Sequence, residues 1–233
     1  MSGPEAAAPV TMLALDTSGP RGSVALGREG AVLAEVGLER MREQAALLLP
    51  AIDRVLKEAG VRRAELGGIV VGEGPGSFTG VRVAAATAKG LVAALDVPCW
   101  AVSSLAAAAL AVEAGAVRYA LFDARADRVY GALFGVGDDG VRSLVPPHAG
   151  TLRDVLDDDV PAGTVFVGDG AERHRRTIEA AGFQVACAEE DASLALGLLR
   201  YLALNPEALP VSDVGAWEPS YVRASSATPS RAE

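Results

Sequence analysis

The sequence predicts an α/β fold of two lobes, each built from one βββαβα unit. Half of the 233 residues are apolar, which is enough for one large core or two small ones. Short strand-like runs alternate with segments whose apolar residues recur at helical spacing. The order of these elements in the first half of the chain returns in the second half. We therefore expect two mixed sheets, antiparallel where hairpins join strands and parallel where a helix crosses over.

The first half predicts four strands and two helices. In chain order they are strands Thr11–Asp16, Gly22–Gly27 and Ala31–Leu38, helix Met41–Ala59, strand Gly68–Gly72 and helix Val81–Leu95. The strands are short apolar runs bounded by turn residues, whereas Ala84, Ala88, Leu91 and Leu95 fall at helical spacing. Pro50 should kink or interrupt the first helix, because proline lacks the N–H that the helix ladder needs.

The second half repeats that order. It predicts strands Tyr119–Asp123, Arg128–Gly135 and Val141–Val145, a short helix Leu152–Leu156, strand Thr164–Gly168, helix Ala171–Ala181 and a final helix Ala192–Leu204. We place an N-terminal lobe at residues 10–102 and a C-terminal lobe at residues 103–223. The two ends, residues 1–9 and 224–233, are predicted to be disordered.

A glycine-rich loop lies between the fourth strand and the second helix. Its residues are Gly74, Pro75, Gly76, Ser77, Phe78, Thr79, Gly80 and, after Val81, Arg82. Such a turn offers backbone N–H groups and a helix dipole to a phosphate or carboxylate. It nevertheless lacks the lysine of a Walker loop, the glycine spacing of a Rossmann loop and the central serine of a nucleophile elbow. Either it is a recognition loop without a charged group, or it only makes a tight turn.

Composition excludes several classes of protein. The net charge of −9 argues against a self-sufficient nucleic-acid binder, and the compact basic cluster Arg173–Arg176 is interpreted as a solvated helix face. Cys99 and Cys187 are too few for a disulfide framework, and Cys99 is interpreted as a small buried hydrophobe. We find no secretory leader and no apolar run of the roughly 18 residues that a membrane helix needs. A reducing cytoplasm and no membrane are therefore expected.

The turn after the first strand carries Asp16, Thr17 and Ser18. Its position resembles that of an Asp near the nucleotide phosphates in the superfamily of actin, sugar kinases and heat-shock chaperone ATPases (ASKHA). That resemblance implies a vestigial nucleotide site at these three residues. Asp and Ser also favour turns unaided, so a purely structural role stays open.

Four groups of motifs, in this order along the chain, resemble the bacterial TsaB (YeaZ) family, and the resemblance runs from Met12 to Arg223. They are Leu15–Ser18 followed by Ser23–Leu26, Gly74–Arg82, Asp123–Arg125 with Val129–Tyr130, and Glu218–Arg223. The resemblance implies a non-catalytic subunit of the machinery that installs threonylcarbamoyl on an adenosine beside the anticodon of certain tRNAs. It implies a catalytic TsaD partner, the ATPase TsaE as a further partner, a homodimer when TsaD is absent, and indirect contact with tRNA. It implies no cofactor in the isolated chain, while ATP or ADP is compatible with the interface of the complex.

Residue types support the non-catalytic interpretation. The catalytic relatives hold a metal with two histidines one turn apart on the helix after the third strand, and here that helix has none. Gln44 stands where TsaB relatives often have a single His. His148 and His174 lie in different predicted elements and are interpreted as solvated surface residues. A glycopeptidase-like protease, the remote alternative, finds no zinc site, thiol–His pair or serine triad.

Two apolar stripes predict a partner interface. The first helix carries Met41, Ala45, Leu48, Ile52 and Val55, and the second carries Ala84, Ala88 and Leu91. Helices with such stripes could pair with a second copy or with TsaD. The alternative is that the stripes cover the sheet of their own lobe.

Two other functions stay open. A nucleotide-dependent small-molecule kinase or ATPase would use Asp16 and the Gly74–Gly80 loop, and would need a second phosphate loop in the second half. Val167–Ala171 is the candidate, although Asp169 would repel a phosphate unless magnesium intervened. A self-assembling structural protein would explain the stripes but not the loop.

Overall fold

Two five-stranded mixed sheets form the framework, one from each half of the chain. The structure is a computed structural model that describes residues 10–38, 43–186 and 193–222. Met41, Cys187, Arg223 and the two ends predicted to be disordered lie outside the described residues.

The N-terminal sheet has the strand order β3-β2-β1-β4-β5. Its elements are β1 (Thr11–Asp16), β2 (Gly22–Arg28), β3 (Ala31–Leu38), α1 (Gln44–Glu58), β4 (Leu66–Gly72), α2 (Phe78–Leu95) and β5 (Cys99–Val102). Hairpins make β1, β2 and β3 antiparallel, and β4 is parallel to both β1 and β5.

The C-terminal sheet has the strand order β8-β7-β6-β9-β10, which repeats that of the first position by position. Its elements follow α3 (Ser104–Ala111) and are β6 (Val117–Arg125), β7 (Arg128–Gly137), β8 (Gly140–Thr151), α4 (Leu152–Asp157), β9 (Val165–Val167), α5 (Asp169–Arg173), α6 (Arg175–Ala180) and β10 (Gln184–Val185); α7 (Leu194–Leu204) ends the series. The predicted duplication of a βββαβα unit is confirmed.

Helices and sheets alternate in five layers. Leu13 and Leu15 of β1 face the core that α1 and α2 cover, whereas Ala14 between them faces a central core with α3 and α7. The second sheet contributes Phe122 to the same central core, and its other face packs against α4, α5 and α6. Because successive strand residues point to opposite faces, strands covered on both sides read as continuous apolar runs.

Several elements differ from the sequence prediction. Helix α3 was missed because all eight of its residues are buried, which leaves no helical period to detect. Strands β5 and β10 were also missed, and they have only four and two residues. The helix predicted at Ala171–Ala181 is two helices, since the backbone leaves helical geometry at His174 (φ −104°, ψ 15°). Helix α1 is continuous through Pro50 rather than interrupted there.

Helix α2 begins three residues before the predicted start, with Ser77 as its N-cap. At 18 residues it is, among the described helices, the one that is long and apolar enough to cross a membrane, which the sequence prediction had not expected. It joins β4 to β5, which are parallel neighbours in one sheet, and packs Val81 and Ala84 against its lobe. Its length and composition therefore suit a crossover helix.

Candidate functional site

Asp16 lies at the end of β1 and is fully buried. Its Oδ1 accepts hydrogen bonds from the backbone N–H (2.7 Å) and the hydroxyl (2.6 Å) of Ser18. Its Oδ2 accepts one of 2.6 Å from the Ser104 hydroxyl at the start of α3. Burial raises the pKa of the Asp16 carboxyl, and the bonds from Ser104 and Ser18 oppose that rise. The carboxylate thus serves as an internal acceptor for three donors.

The glycines of the loop allow it to approach this turn. A Cβ at Gly72 would overlap Oδ2 of Asp16, and a Cβ at Gly80 would overlap the carbonyl oxygen of Thr17. The Thr17 hydroxyl donates a bond of 2.6 Å to the carbonyl of Gly80. Glycine is required at both positions because the backbone and the carboxylate occupy the space of a side chain.

Ser77 connects the loop to the Asp16 turn and to the start of α2. Its N–H donates to the carbonyl of Ser18 (2.7 Å), and its hydroxyl accepts from the N–H of Gly80 (3.3 Å), which caps α2. A Cβ at Gly76 would lie 2.5 Å from the Ser18 carbonyl oxygen, and Gly74 has a left-handed φ of +94°. The loop and the Asp16 turn are therefore one packed unit.

Gln44, at the start of α1, also supports this turn. It is 3% exposed. In the amide orientation that satisfies its neighbours, its nitrogen donates to the Thr17 carbonyl (3.2 Å) and its oxygen accepts from the N–H of Gly22 (2.9 Å). Sequence reasoning assigned Gln44 no role, because its partners lie more than 20 positions away. A polar residue on the buried side of a predicted helix was the one available signal.

Thr17 and Ser18 are as inaccessible as Asp16, with 0% and 3% of their surface exposed. All three residues of the predicted vestigial nucleotide site are therefore packed beneath the loop. A phosphate would find neither the Asp16 carboxylate nor a magnesium ion held by it within reach. The arrangement can order the turn, the loop and the start of α3, and it offers no accessible acid or base.

The second half carries a counterpart of this turn. Asp123 lies two residues before the end of β6. The segment Val167–Gly170, which begins with the last residue of β9, corresponds to Val71–Gly74, which begins with the last two residues of β4. Asp123 accepts a bond of 2.9 Å from Arg173, and Asp169 lines a cavity of about 420 Å³ between the two halves. Burial, and then the nearby Asp123 carboxylate, raise the pKa of Asp169 to about 6. Two carboxylates at this position disfavour a phosphate.

The predicted partner stripe is largely wrong as a contact surface. Five of its residues, at most 3% exposed, pack into the core under α1 and α2: Leu48, Ile52, Val55, Ala84 and Ala88. A stripe at helical spacing marks the face that a helix turns to its own sheet. Ala45 is exposed and Leu91 half-buried. Among the exposed residues of the two helices are Ala45, Leu49, Ala86, Gly90 and Ala93, which we call the outer helix face.

The exposed end of the loop forms a cluster with the last described residues. Phe78 is 59% exposed and Tyr221 is 43% exposed. The Arg82 guanidinium lies 3.7 Å from the centroid of the Phe78 ring, and its Nε donates a bond of 2.9 Å to the Tyr221 hydroxyl. We call Phe78, Arg82 and Tyr221 the arginine cluster.

The remaining candidate groups are structural. Cys99 is buried, as predicted, and burial raises the pKa of its thiol to about 11, so it is a poor nucleophile. His148 is half-buried rather than solvated, with its Nε2 3.3 Å from the Tyr119 hydroxyl. Within residues 10–38, 43–186 and 193–222, no three His, Cys, Asp or Glu side chains are grouped to hold a metal.

Comparison with known proteins identifies a matching family, similar sequences and similar structures. Residues 32–201 match the family model described as "TsaD: tRNA N6-adenosine threonylcarbamoyltransferase". The tRNA threonylcarbamoyladenosine biosynthesis protein TsaB of Bacillus subtilis is 34% identical over 173 residues, which cover 73% of this chain and 76% of that protein. A Pseudomonas aeruginosa structure, described as an uncharacterized protein with similarity to peptidase YEAZ, has a TM-score of 0.77 at 29% identity over 92% of this chain and 100% of the other.

A more distant structure shares the fold alone. It is the Acidaminococcus fermentans (R)-2-hydroxyglutaryl-CoA dehydratase component A, with a TM-score of 0.53 at 10% identity over 82% of this chain and 97% of that one. Together with the YeaZ-like structure, the family match and the repeated strand order, this likeness identifies the fold as actin-like.

Proposed function

The chain belongs to the TsaB (YeaZ) family, and from that premise we propose that it takes part in tRNA threonylcarbamoyladenosine biosynthesis as a non-catalytic scaffold subunit. The observation that carries the non-catalytic part is Asp16. Its carboxylate is fully buried and accepts three hydrogen bonds, so no reacting group can reach it.

The partner in this proposal is a catalytic TsaD-like subunit, and the outer helix face is where it docks. Small side chains there allow two helix pairs to approach closely, and Leu49, which is 57% exposed, supplies apolar area. Gly90 lies between Ala86 and Ala93 on α2, and a Cβ added there would meet nothing within 4 Å. In the absence of the catalytic subunit, a second copy of this chain covers the same face.

The scaffold acts by population shift. A partner that binds one conformer of the catalytic subunit stabilises it by the difference in affinity between conformers. A hundredfold difference corresponds to about 2.7 kcal/mol, which is enough to convert a minor conformer into the major one. A TsaE-like ATPase joins the complex, and ATP or ADP binds at its interfaces.

The tRNA is held mainly by the other subunits, because this chain has a net charge of −9 and phosphate binding needs several cations. We assign the chain no membrane partner and place it in the cytoplasm, where tRNA is modified. These assignments rest on family membership together with charge.

Size-exclusion chromatography with light scattering tests the pairing. The chain is measured alone and mixed with the TsaD-like subunit of the same cell, with and without ATP. We expect a homodimer that converts into a mixed complex, and we expect Gly90→Trp to prevent both. Arg153→Trp is the control, since the Arg153 side chain on α4 is 87% exposed and lies in the other half of the chain. Failure of the unmodified chain to associate under every condition would contradict the proposal.

A nucleotide-dependent kinase or ATPase is the second candidate, favoured by one observation. A cleft of about 670 Å³ lies between the two halves, where actin-like enzymes bind nucleotide. Asp169 and Glu172 line it, and Asp16 is shielded from it, which disfavours a triphosphate. Calorimetric titration of the isolated chain with ATP and magnesium distinguishes the two functions, because tight binding would support the kinase or ATPase.

A further inference from the structure

The arginine cluster lies at the N-terminal end of α2, on the solvent side of the loop. We propose that its Arg82 guanidinium is a binding anchor for a carboxylate side chain of a protein partner. This inference rests on the proposed function, because the partner is taken to be the catalytic subunit that docks on the outer helix face.

The guanidinium is held in place but is not saturated. Its Cζ lies 3.7 Å from the ring centroid of Phe78 and 5.5 Å from that of Tyr221. Its Nε donates to the Tyr221 hydroxyl, and within the described part of the chain neither Nη atom has a hydrogen-bonding or ion-pair partner. The paired N–H edge is therefore free to donate to two oxygens of one ligand.

The backbone that carries each of the two rings is anchored. Phe78 is the first residue of α2, directly after the N-cap Ser77. Tyr221 follows Ser220, whose N–H donates a hydrogen bond of 2.9 Å to the carbonyl of Glu73. The two rings lie 5.9 Å apart at 40°. A long side chain that is already ordered loses less rotamer freedom on binding, which favours affinity.

The geometry favours a carboxylate as the ligand. The planar fork of a guanidinium matches a carboxylate through two parallel N–H···O bonds. The rings beside the guanidinium also strengthen an ion pair with it, because they exclude water and so lower the local dielectric. Arg and Tyr are among the residue types enriched at the energetic centres of protein interfaces.

The surroundings favour a protein over RNA as the source of that anion. Lys89, the other cation on α2, already donates to the carbonyl of Gly215 (2.9 Å) and lies 5.9 Å from the Trp217 ring. A phosphate-binding surface needs several free cations. The exposed residues that follow Arg82 on α2 are instead small and apolar, namely Ala86 and Ala93 of the outer helix face. One cation at the end of a small apolar face suits a folded partner with one matching acid.

Calorimetric titration of the TsaD-like subunit into four variants tests the anchor. We expect Arg82→Gln to weaken the mixed complex by about thirtyfold, the effect of losing one central interface residue. Tyr221→Phe removes only the hydroxyl acceptor and should weaken it by about fivefold or less. Phe78→Ala should fall between them, and Arg153→Gln, an exposed arginine on α4, should have no effect. Thermal melts of each variant alone identify any that fail to fold.

A second arm identifies the ligand directly. In Arg82→Lys the new amine can be coupled to a neighbouring carboxylate by a carbodiimide, and mass spectrometry then locates the bond. We expect one cross-link to an Asp or Glu of the partner subunit. The proposal is overturned if Arg82→Gln leaves the affinity for the TsaD-like subunit unchanged. It is also overturned if Arg82→Gln weakens only the binding of tRNA to the intact complex. If the unmodified chain forms no complex at all, the proposed function fails instead.

Discussion

Ser104 Oγ donates a hydrogen bond of 2.6 Å to Oδ2 of Asp16, although 88 positions separate the two residues. The same hydroxyl accepts a bond of 3.1 Å from the N–H of Gly74. One serine at the start of α3 therefore joins the first strand, the glycine-rich loop and the helix between the two sheets. The Asp16 carboxylate is therefore a buried internal acceptor that holds these three segments together.

Replacement of Asp16 measures the strength of this fastening. Asp16→Ala leaves three buried donors without an acceptor, each costing about 1 to 3 kcal/mol, while loss of the buried charge offsets part of that cost. We expect urea denaturation to show a fall of about 2 kcal/mol or more in the free energy of unfolding. Asp16→Asn keeps an oxygen for Ser18 and should cost less. Equal stability of Asp16→Ala and the unmodified chain would contradict the assignment.

The raised pKa of Asp169 predicts that the stability of the fold depends on pH. Its pKa is about 6 in the folded protein and about 3.8 in the unfolded chain, so the folded state binds the proton more tightly. The stability from this group is complete below pH 4 and is lost as the pH rises through about 6. Asp169→Asn should therefore be more stable than the unmodified chain at pH 8, by on the order of 2 kcal/mol.

The measurement is the difference between Asp169→Asn and the unmodified chain across pH 4 to 8. Burial also raises the pKa of Asp16 and Glu73, and both titrate in each protein, so only the difference isolates Asp169. We expect the difference to shrink towards pH 4. A difference that is constant with pH would show that Asp169 is not shifted.

Two glycines in helices predict opposite results from the same substitution. A Cβ at Gly197 of α7 would overlap the backbone carbonyl of Ala107 in α3, whereas Gly90 of α2 faces open space. Gly197→Ala should destabilise the fold by about 1 to 3 kcal/mol, because neither helix can move in the central core. Gly90→Ala should stabilise it by about 0.5 to 1 kcal/mol through helix propensity. Thermal melts that show the same sign for both would contradict the packing.

The contacts of Arg118 predict that lysine cannot replace it beside the C-terminal end of α3. Its guanidinium donates to four backbone carbonyls, those of Ala109, Val112, Ala114 and Gly115. A lysine ammonium cannot span them, so Arg118→Lys should lower the free energy of unfolding by about 2 kcal/mol. Arg153→Lys, which changes an exposed residue, is the control. If chemical denaturation gave the same free energy of unfolding for Arg118→Lys and Arg153→Lys, the bonds from Arg118 to the four carbonyls would be unimportant for stability.

Local sequence patterns predicted the parts of the fold that depend on local interactions. The bounds of β1 and β3 agree with the prediction, because turn residues flank both runs. The same reasoning misassigned Leu48 and Ala88 to a partner, since periodicity shows which side of a helix is apolar and not what covers it. The fastening of Asp16 by Ser104 was beyond its reach, because that contact exists only once both sheets have formed.

The central claim is that this chain supports tRNA modification by pairing and not by chemistry of its own. The most direct measurement is threonylcarbamoyladenosine formation on tRNA in a reconstituted mixture of the TsaD-like and TsaE-like subunits, ATP and the modification precursors. We predict that Gly90→Trp abolishes pairing and modification together, while Arg153→Trp retains both. Full modification with a variant that no longer pairs would contradict the account.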